Sequence, residues 1–213
     1  MKESLLRFAH AQPYILFDFE TCSLNLGSLE NKPWQLSFLI AQGKKIITKQ
    51  NYYLNWEHLP ISAEARKITR FNEKKYRKAA VEPLEVLQKF EEFIYNPKYK
   101  IVGHNILGFD VYIHGILRSL CGKGSDYSYM ERCIDTNCLA RGIKNQIKLQ
   151  AGEDFLGWQY KLLHHRKRGV KTNLKQLLKD YSIEFEEKKL HDALYDIEVN
   201  FKVFQKQLWD IEV

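Results

Sequence analysis

The hydrophobic positions of the first fifty residues form strand-like runs. Residues 13–17 are an unbroken apolar run that stops at Asp18, which is typical of a buried central strand. Residues 34–41 and 45–54 predict two further strands, and the Gln-Gly-Lys segment at 42–44 predicts a hairpin turn between them. The chain is therefore expected to begin with strands that lie side by side in one sheet.

Apolar residues spaced by three and four predict helices in the rest of the chain, separated by short strands at 99–102 and 132–135. The predicted helices start after the candidate cap Ser62 and lie at 83–95, 110–120, 136–139 behind the capping residue Asp135, 172–178 with Thr172 as the cap, and 191–211. Residues 144–170 show no clear period. Strands followed by strand–helix alternation predict an α/β fold with a central mixed five-stranded sheet flanked by helices.

The length and charge of the chain limit the classes of protein that it can represent. Its 213 residues suit one domain, 1–213, and its 45% hydrophobic content is enough for a sizeable core. Lys and Arg exceed Asp and Glu by 33 to 26, a net charge of +7. This excess favours a polyanionic partner, although a basic surface that serves solubility alone is an equally good interpretation of the charge by itself.

The cysteines and the apolar runs indicate a soluble protein of a reducing compartment. Cys22, Cys121, Cys133 and Cys138 match no zinc-binding spacing, so we expect reduced thiols. No apolar run is long enough to cross a membrane, and the start of the chain, residues 1–7, is too short and too charged for a signal peptide. We therefore expect a cytoplasmic location and no membrane partner.

Three short acidic segments interrupt or close apolar runs. They are Asp18-Phe19-Glu20-Thr21, the segment 103–110 ending in Asp110, and the segment 191–196 ending in Asp196. Carboxylates that converge repel one another unless cations neutralise them, and oxygen ligands suit Mg²⁺ or Mn²⁺. His191, five residues before Asp196, adds a base. The pattern predicts a two-metal site that cleaves phosphodiesters.

The same segments, D-x-E-T, H-N-x-x-x-F-D and H-x-A-x-x-D, resemble the three motifs of the DnaQ-like (DEDD) exonuclease superfamily, and His191 is typical of its DEDDh branch. The resemblance implies a ribonuclease H-like fold of three layers. It also implies that Asp18, Glu20 and Asp196 bind the metal ion that activates water, that Asp18 faces a second ion and that Asp110 completes the acidic ring. His191 would be the general base.

The resemblance further suggests substrate contacts. Thr21, Cys22, Ser23 and Leu24 match a loop that holds the terminal nucleotide, with Leu24 as a wedge and Ser23 in place of the usual glycine, and Asn105 matches a position near the substrate. The basic stretch 161–171 precedes the C-terminal helix that carries the third motif, so it is a candidate for phosphate contact through Arg166, Lys167 and Arg168, the alternative being a solvated loop. The roles of His104 as a structural residue or as a substrate contact stay open.

The function predicted from the sequence is a 3′–5′ exonuclease that releases nucleoside 5′-monophosphates from single-stranded 3′ ends with two Mg²⁺ or Mn²⁺ ions. The second motif has one residue more than the common form and is similar to that of family B polymerase proofreading domains, which favours DNA; proofreading would need a separate DNA polymerase as partner. The alternatives are an exoribonuclease acting on RNA 3′ ends and, from another class, a non-catalytic single-strand-binding module.

Overall fold

A mixed sheet runs through the computed structural model, which describes residues 5–213; the first four residues of the charged start thus lie outside the described part. Within that range the sheet has six strands in the order β4-β3-β2-β1-β5-β6. Strands β1, β2 and β3 are antiparallel, whereas β5 and β6 continue the sheet parallel to β1 and β4 is parallel to β3. The strands are β1 (Pro13–Thr21), β2 (Pro33–Gln42), β3 (Lys45–Leu54), β4 (Ala80–Val81), β5 (Lys100–Gly103) and β6 (Cys133–Asp135).

Helices cover both faces of this sheet. The helices are α1 (Ala63–Thr69), α2 (Glu73–Ala79), α3 (Pro83–Ile94), α4 (Asp110–Leu120), α5 (Thr136–Asn145), α6 (Phe155–His164), α7 (Leu174–Asp180) and α8 (Ala193–Asp210). Alternate residues of β1 point to opposite faces: Ile15 and Phe17 pack with α3 and α4, and Tyr14 and Leu16 pack with α5, α6 and α8. The α/β fold with three layers that the sequence predicts is confirmed.

The sheet differs from the prediction by one strand, because β4 has only two residues and no measurable period. Helix α6 lies in the stretch 144–170, for which no element was predicted; Asp154 caps it, and its buried Trp158 and Leu162 are spaced by four. The other positions of this helix are also mostly apolar, so no single face stands out in the sequence. The predicted cap Thr172 is wrong, since the side chain of Asn173 accepts the hydrogen bond from the Gln176 amide, at 3.0 Å.

The carboxyl ends of β1, β5 and β6 form a crevice in the sheet. Pairing between β1 and β5 stops at Leu16 and Val102, while β1 continues to Thr21. Strand β1 has the parallel strand β5 on one side and the antiparallel strand β2 on the other. The chain therefore leaves the sheet in different directions on the two sides of β1. Such crevices are where open α/β sheets bind ligands.

None of the helices within residues 5–213 combines the length and the apolar character needed to cross a membrane. The four cysteines are free thiols, as expected; Cys121 is only half-buried and the other three are buried.

A charged network fastens α4 to α3 behind the crevice. Glu91 of α3 lies 3.3 Å from the buried His114 Nε2 and 3.0 Å from Lys123 Nζ, and it also accepts a hydrogen bond from Arg118. His114 Nδ1 lies 2.9 Å from the Tyr129 hydroxyl, so a neutral imidazole that donates to Glu91 and accepts from Tyr129 satisfies both partners. Burial alone would raise the pKa of Glu91, but the hydrogen bonds from its partners lower it to about 2.

We therefore expect Glu91→Gln to lower the free energy of unfolding by about 1.5–3 kcal/mol at neutral pH. The folded pKa lies below the unfolded one, so this stabilisation is present above the unfolded value and is lost as the pH falls towards about 2. Denaturant unfolding at neutral and acidic pH measures the difference. The exposed Glu85, which pairs with Lys89 on the same helix, is the control, and Glu85→Gln should cost less than about 0.5 kcal/mol. A Glu91→Gln effect that does not shrink in acid would contradict the ionic account.

Candidate active site

Asp18 and Glu20 lie on the face of β1 that α8 covers. They are two residues apart and pair in register with Ser37 and Gln35 of β2, which point to the same face. Both side chains are half-buried at the end of the strand where β1 has left β5. The predicted common orientation of the two carboxylates is therefore present.

Asp110 reaches the same crevice from the other side. It is the first residue of α4 and is 3% exposed. Its Oδ1 accepts a hydrogen bond from the Phe19 amide at 3.0 Å, an amide that lies beyond the end of the β1–β5 pairing. Burial raises the pKa of Asp110 to about 8, against the lowering effect of the Phe19 hydrogen bond. This contact places Asp110 between Asp18 and Glu20 along β1.

Asp196 comes from the first turn of α8. Its Oδ2 accepts a hydrogen bond from the His191 amide at 3.1 Å, and its Oδ1 is buried and has no hydrogen-bond partner within residues 5–213. Helix α8 begins at Ala193 behind the cap Asp192, so the prediction that His191 belongs to this helix is wrong. His191 has a left-handed backbone, with φ of 67°, which turns its amide towards Asp196.

The carboxyl groups of the crevice influence one another strongly. Burial raises the pKa of Asp18 and of Glu20 well above the usual carboxyl range, and nearby carboxylates raise both further. The carboxylates acting on Asp18 are those of Asp110, Glu20, Asp196 and Asp192. Burial also raises the pKa of Asp196 to about 7. Such a group of acids holds protons unless positive charge replaces them.

The donor set fits hard divalent cations. It consists of carboxylate oxygens, and one of them, Oδ1 of Asp196, is buried without a hydrogen bond in the described chain. Within residues 5–213 no three His, Cys, Asp or Glu side chains stand in a ready-made ligand cluster. Repulsion between ionised carboxylates opposes such an approach, and a bound cation would remove that repulsion.

His191 is an exposed side chain at the border of the acidic group. Desolvation of its ring, and the charge of Arg70, lower the pKa of His191. A lowered pKa keeps the imidazole neutral, and thus able to accept a proton, at neutral pH.

The residues predicted to hold the terminal nucleotide have different surroundings. Leu24 is 84% exposed, as a wedge would require, and Ser23 is half-buried. Thr21 is buried and its hydroxyl donates to the Ser23 carbonyl at 2.6 Å. Cys22 is buried, and its amide and carbonyl are both hydrogen-bonded, to Lys32 and Ser62. Leu24 and Ser23 are thus the members of this loop whose side chains face outwards.

Asn105 is held at the crevice by Asp135. The buried Asp135 carboxylate accepts hydrogen bonds from the amides of Asn105 at 2.9 Å and Leu107 at 3.1 Å, and it also caps α5 as the sequence predicts. Asn105 itself has a left-handed backbone, with φ of 62°. Asp135 therefore fixes the turn that leads from β5 to Asp110.

Two clefts meet at Leu190 and His191. The acidic cleft, about 380 Å³, contains Asp18 and Asp196 and is also lined by His104, Asn173, Lys175 and Asn200. Burial lowers the pKa of His104 to about 4, and its Nδ1 lies 3.0 Å from the Thr136 hydroxyl. His104 is therefore a neutral, partnered imidazole at the wall of this cleft.

The basic cleft, about 450 Å³, lies on the other side of His191 and is lined by Arg70, Lys75, Lys188 and Lys189. Sequence reasoning missed these four residues. The only signal for them is their charge, which is shared by many surface lysines. Arg166, Lys167 and Arg168 are exposed and line neither cleft; the chain enters the acidic cleft later, at Asn173.

Comparison with solved structures identifies the architecture. Escherichia coli exonuclease I with single-stranded DNA and zinc superposes with a TM-score of 0.71 at 15% identity, over 93% of this chain and 42% of that one. The same enzyme with a dT13 oligonucleotide gives 0.70 at 16% identity, over 92% and 40%. The chain shares the fold of this part of exonuclease I. An apo structure of exonuclease I gives a TM-score of 0.70 at 16% identity, over 94% of this chain and 44% of that one.

These similarities support the predicted ribonuclease H-like fold and do not by themselves assign an activity. The chain spans about two fifths of the length of the exonuclease I structures. No family model and no curated protein sequence matches the chain. The function is therefore argued from the site.

Proposed function

We propose that the protein is a metal-dependent 3′–5′ exonuclease that acts on single-stranded nucleic acid ends, with DNA as the preferred substrate. The observation that carries the proposal is that β1, α4 and α8 bring Asp18, Glu20, Asp110 and Asp196 to one crevice, close enough for their charges to influence one another, with His191 beside Asp18 and Asp196 in the acidic cleft. A structural role does not account for this arrangement, since ionised carboxylates in one crevice weaken the metal-free fold.

The carboxylates would hold two Mg²⁺ or Mn²⁺ ions. Asp18, Glu20 and Asp196 would bind the first, and Asp18, with Asp110 in part through water, the second. When bound, two such ions stabilise the attacking and leaving oxygens of an in-line displacement at phosphorus. Among the described residues 5–213 the Asp196 Oδ1 has no hydrogen-bond partner, which supports its assignment as a ligand, because the other oxygen already accepts from the His191 amide.

His191 would accept the proton of the attacking water at its imidazole. Its lowered pKa leaves the ring neutral at physiological pH, and its place between the two clefts exposes it to a strand that crosses both. The proton then leaves to solvent, which reaches this exposed side chain.

The preference for DNA rests on the second motif and on the structures that share the fold. The exonuclease I structures it resembles include complexes with single-stranded DNA, and one of them contains zinc. An RNA substrate would need contacts to the 2′-hydroxyl.

End-labelled oligonucleotides test the proposal. With Mg²⁺, a 5′-labelled DNA strand should shorten in single-nucleotide steps, and a 3′-labelled strand should release its label at once as a mononucleotide. EDTA should stop both reactions, and the matching RNA strand should be degraded more slowly. Binding without shortening would favour the single-strand-binding module instead, and faster loss of RNA would favour the exoribonuclease.

We expect the basic residues after α6 to contribute affinity rather than chemistry. Neutralising Arg166, Lys167 and Arg168 together should raise KM for longer strands and flatten the salt dependence of binding, since each phosphate that is no longer neutralised removes about 0.7 from the slope for single strands. The kcat at saturating substrate should change little. Steady-state kinetics at several salt concentrations measures both quantities, and an unchanged salt slope would mean that this loop faces away from the strand.

A further inference from the structure

The basic cleft beside His191 holds positive charge that the fold itself does not use. Within residues 5–213, Arg70, Lys75 and Lys188 form no ion pair, whereas Lys189 pairs with Glu186. The cleft also contains Asp192 and Glu198, but the latter is neutralised by Lys49 at 2.8 Å. The cleft is therefore net positive although it adjoins a group of acids.

Aromatic rings contact two of the lysines that line this cleft, Lys75 and Lys189. Lys75 Nζ lies 5.4 Å from the centroid of the Tyr53 ring, and Tyr53 is itself stacked on Trp34. Lys189 Nζ lies 5.8 Å from the centroid of the Tyr195 ring. Cation–π contacts of this kind position ammonium groups without neutralising them, so the positive charge is still available to a ligand.

The position of the cleft indicates what this ligand is. Under the proposed function the linkage being cleaved lies at the carboxylates, so the cations on the other side of His191 adjoin it and can contact a neighbouring phosphate of the substrate. The departing nucleotide carries only the phosphate under attack, whereas the remaining strand carries further phosphodiesters. The cations that form no ion pair within residues 5–213 can therefore bind phosphates of the remaining strand. The cleft volume of about 450 Å³ is large enough for a portion of the strand the size of a small molecule.

We propose that the basic cleft binds the phosphodiester of the retained strand immediately 5′ to the linkage being cleaved, through Arg70, Lys75 and Lys188. This inference rests on the proposed exonuclease function for the direction of the strand. It assigns phosphate binding to two segments of the chain, the α1–α2 turn with the start of helix α2 and the approach to α8, that are adjacent only in the folded protein.

Equilibrium binding in EDTA tests the proposal separately from hydrolysis. The triple variant Arg70→Gln/Lys75→Gln/Lys188→Gln should bind a fluorescent oligothymidylate about tenfold more weakly at moderate salt, and its slope against salt should fall by about 0.7 for each phosphate that the variant no longer neutralises. The control is Lys44→Gln/Lys45→Gln/Lys202→Gln, which removes the same charge from the hairpin and from the exposed side of α8 and should bind like the wild type.

A second oligonucleotide locates the bound phosphate. Replacing only the linkage 5′ to the terminal one with a neutral methylphosphonate should weaken binding to the wild type and to the control about fivefold or more, and should change the affinity of the triple variant much less. The proposal would be overturned if the cleft variant and the control variant bound the oligonucleotide equally tightly. It would also be overturned if the methylphosphonate weakened binding to these two variants by the same factor. If cleft-dependent binding occurs but no strand is shortened with Mg²⁺, the proposed function fails and the phosphate site stands.

Discussion

Replacing Asp18 or Asp196 with alanine is expected to abolish hydrolysis while the protein stays folded. Each change removes one of the few anionic ligands proposed for the ions, and losing several kcal/mol of transition-state stabilisation corresponds to roughly 10³-fold or more in kcat. The measurement is single-turnover cleavage at saturating Mg²⁺, together with calorimetric titration of the metal, which should bind far more weakly to both variants.

The same substitutions should raise the stability of the metal-free protein. The pKa values of Asp18 and Asp196 are raised in the folded state, so their ionised forms destabilise the fold above the unfolded pKa, and this penalty vanishes in acid. In EDTA at neutral pH, we expect Asp18→Ala to melt at a higher temperature than the wild type. Added Mg²⁺ should stabilise the wild type and not the variant.

Asp192 provides a matched control for these variants. Its charge acts on the same acids, but its side chain caps α8 by accepting a hydrogen bond from the Tyr195 amide at 3.2 Å. Asn is an equally good cap, so Asp192→Asn removes the charge and keeps the helix start. Its activity should remain within about tenfold of the wild type. Near wild-type turnover in a folded Asp18→Ala protein, or a complete loss in Asp192→Asn, would contradict the ligand assignment.

Replacing His191 should lower kcat by roughly 10²–10⁴, the usual contribution of a positioned base. Asn is the better replacement than Ala, because it tolerates the left-handed backbone at φ of 67°, the conformation in which the backbone amide of residue 191 holds Asp196. Metal affinity and strand affinity should be nearly unchanged in His191→Asn. Single-turnover rates measure the loss of catalysis, and calorimetry measures the metal affinity. Loss of metal binding would mean that the histidine is a ligand.

The pH dependence distinguishes the base from the ligands. The neutral imidazole is the reactive form, so activity should rise with pH through a pKa lower than the ordinary value for histidine. The carboxyl groups of Asp196 and Asp110 titrate higher in the metal-free protein, at about 7 and about 8, and must lose their protons before a metal binds. The profile is therefore measured at saturating metal, where the rising limb should persist in the wild type and disappear in His191→Asn.

The fold could be predicted from the sequence where a strand or a helix is long enough to show its period. The run at 13–17 that stops at Asp18 marks β1, and the spacing of Leu87, Phe90 and Ile94 marks α3. Strand β4 was missed because two residues have no period, and its place in the sheet depends only on pairing with β3. Helix α6 was missed because most of its positions are apolar, so its buried face shows no clear period.

The site could be predicted as far as its acids, and not in its detail. Asp18, Glu20 and Asp110 follow from the apolar runs of β1 and β5, because the carboxyl ends of parallel strands meet at one edge of a sheet, whereas Asp196 lies on helix α8 and followed from its motif. The conformation of His191 could not be predicted, since its left-handed backbone is fixed by a hydrogen bond to Asp196 that exists only in the folded chain. The basic cleft was missed for a similar reason: Arg70 and Lys188 are far apart in sequence and carry no local motif.

Hydrolysis of a single-stranded DNA oligonucleotide in water enriched in ¹⁸O is the most direct test of the proposed chemistry. Attack by water on the terminal phosphodiester breaks the bond between phosphorus and the 3′ oxygen of the shortened strand, so mass spectrometry should find one ¹⁸O in the phosphate of the released nucleoside 5′-monophosphate. The shortened strand should end in an unlabelled 3′-hydroxyl, and both products should require Mg²⁺ or Mn²⁺. Release of 3′-phosphates, internal cleavage, or full activity in EDTA would contradict a two-metal 3′–5′ exonuclease at Asp18, Glu20, Asp110 and Asp196.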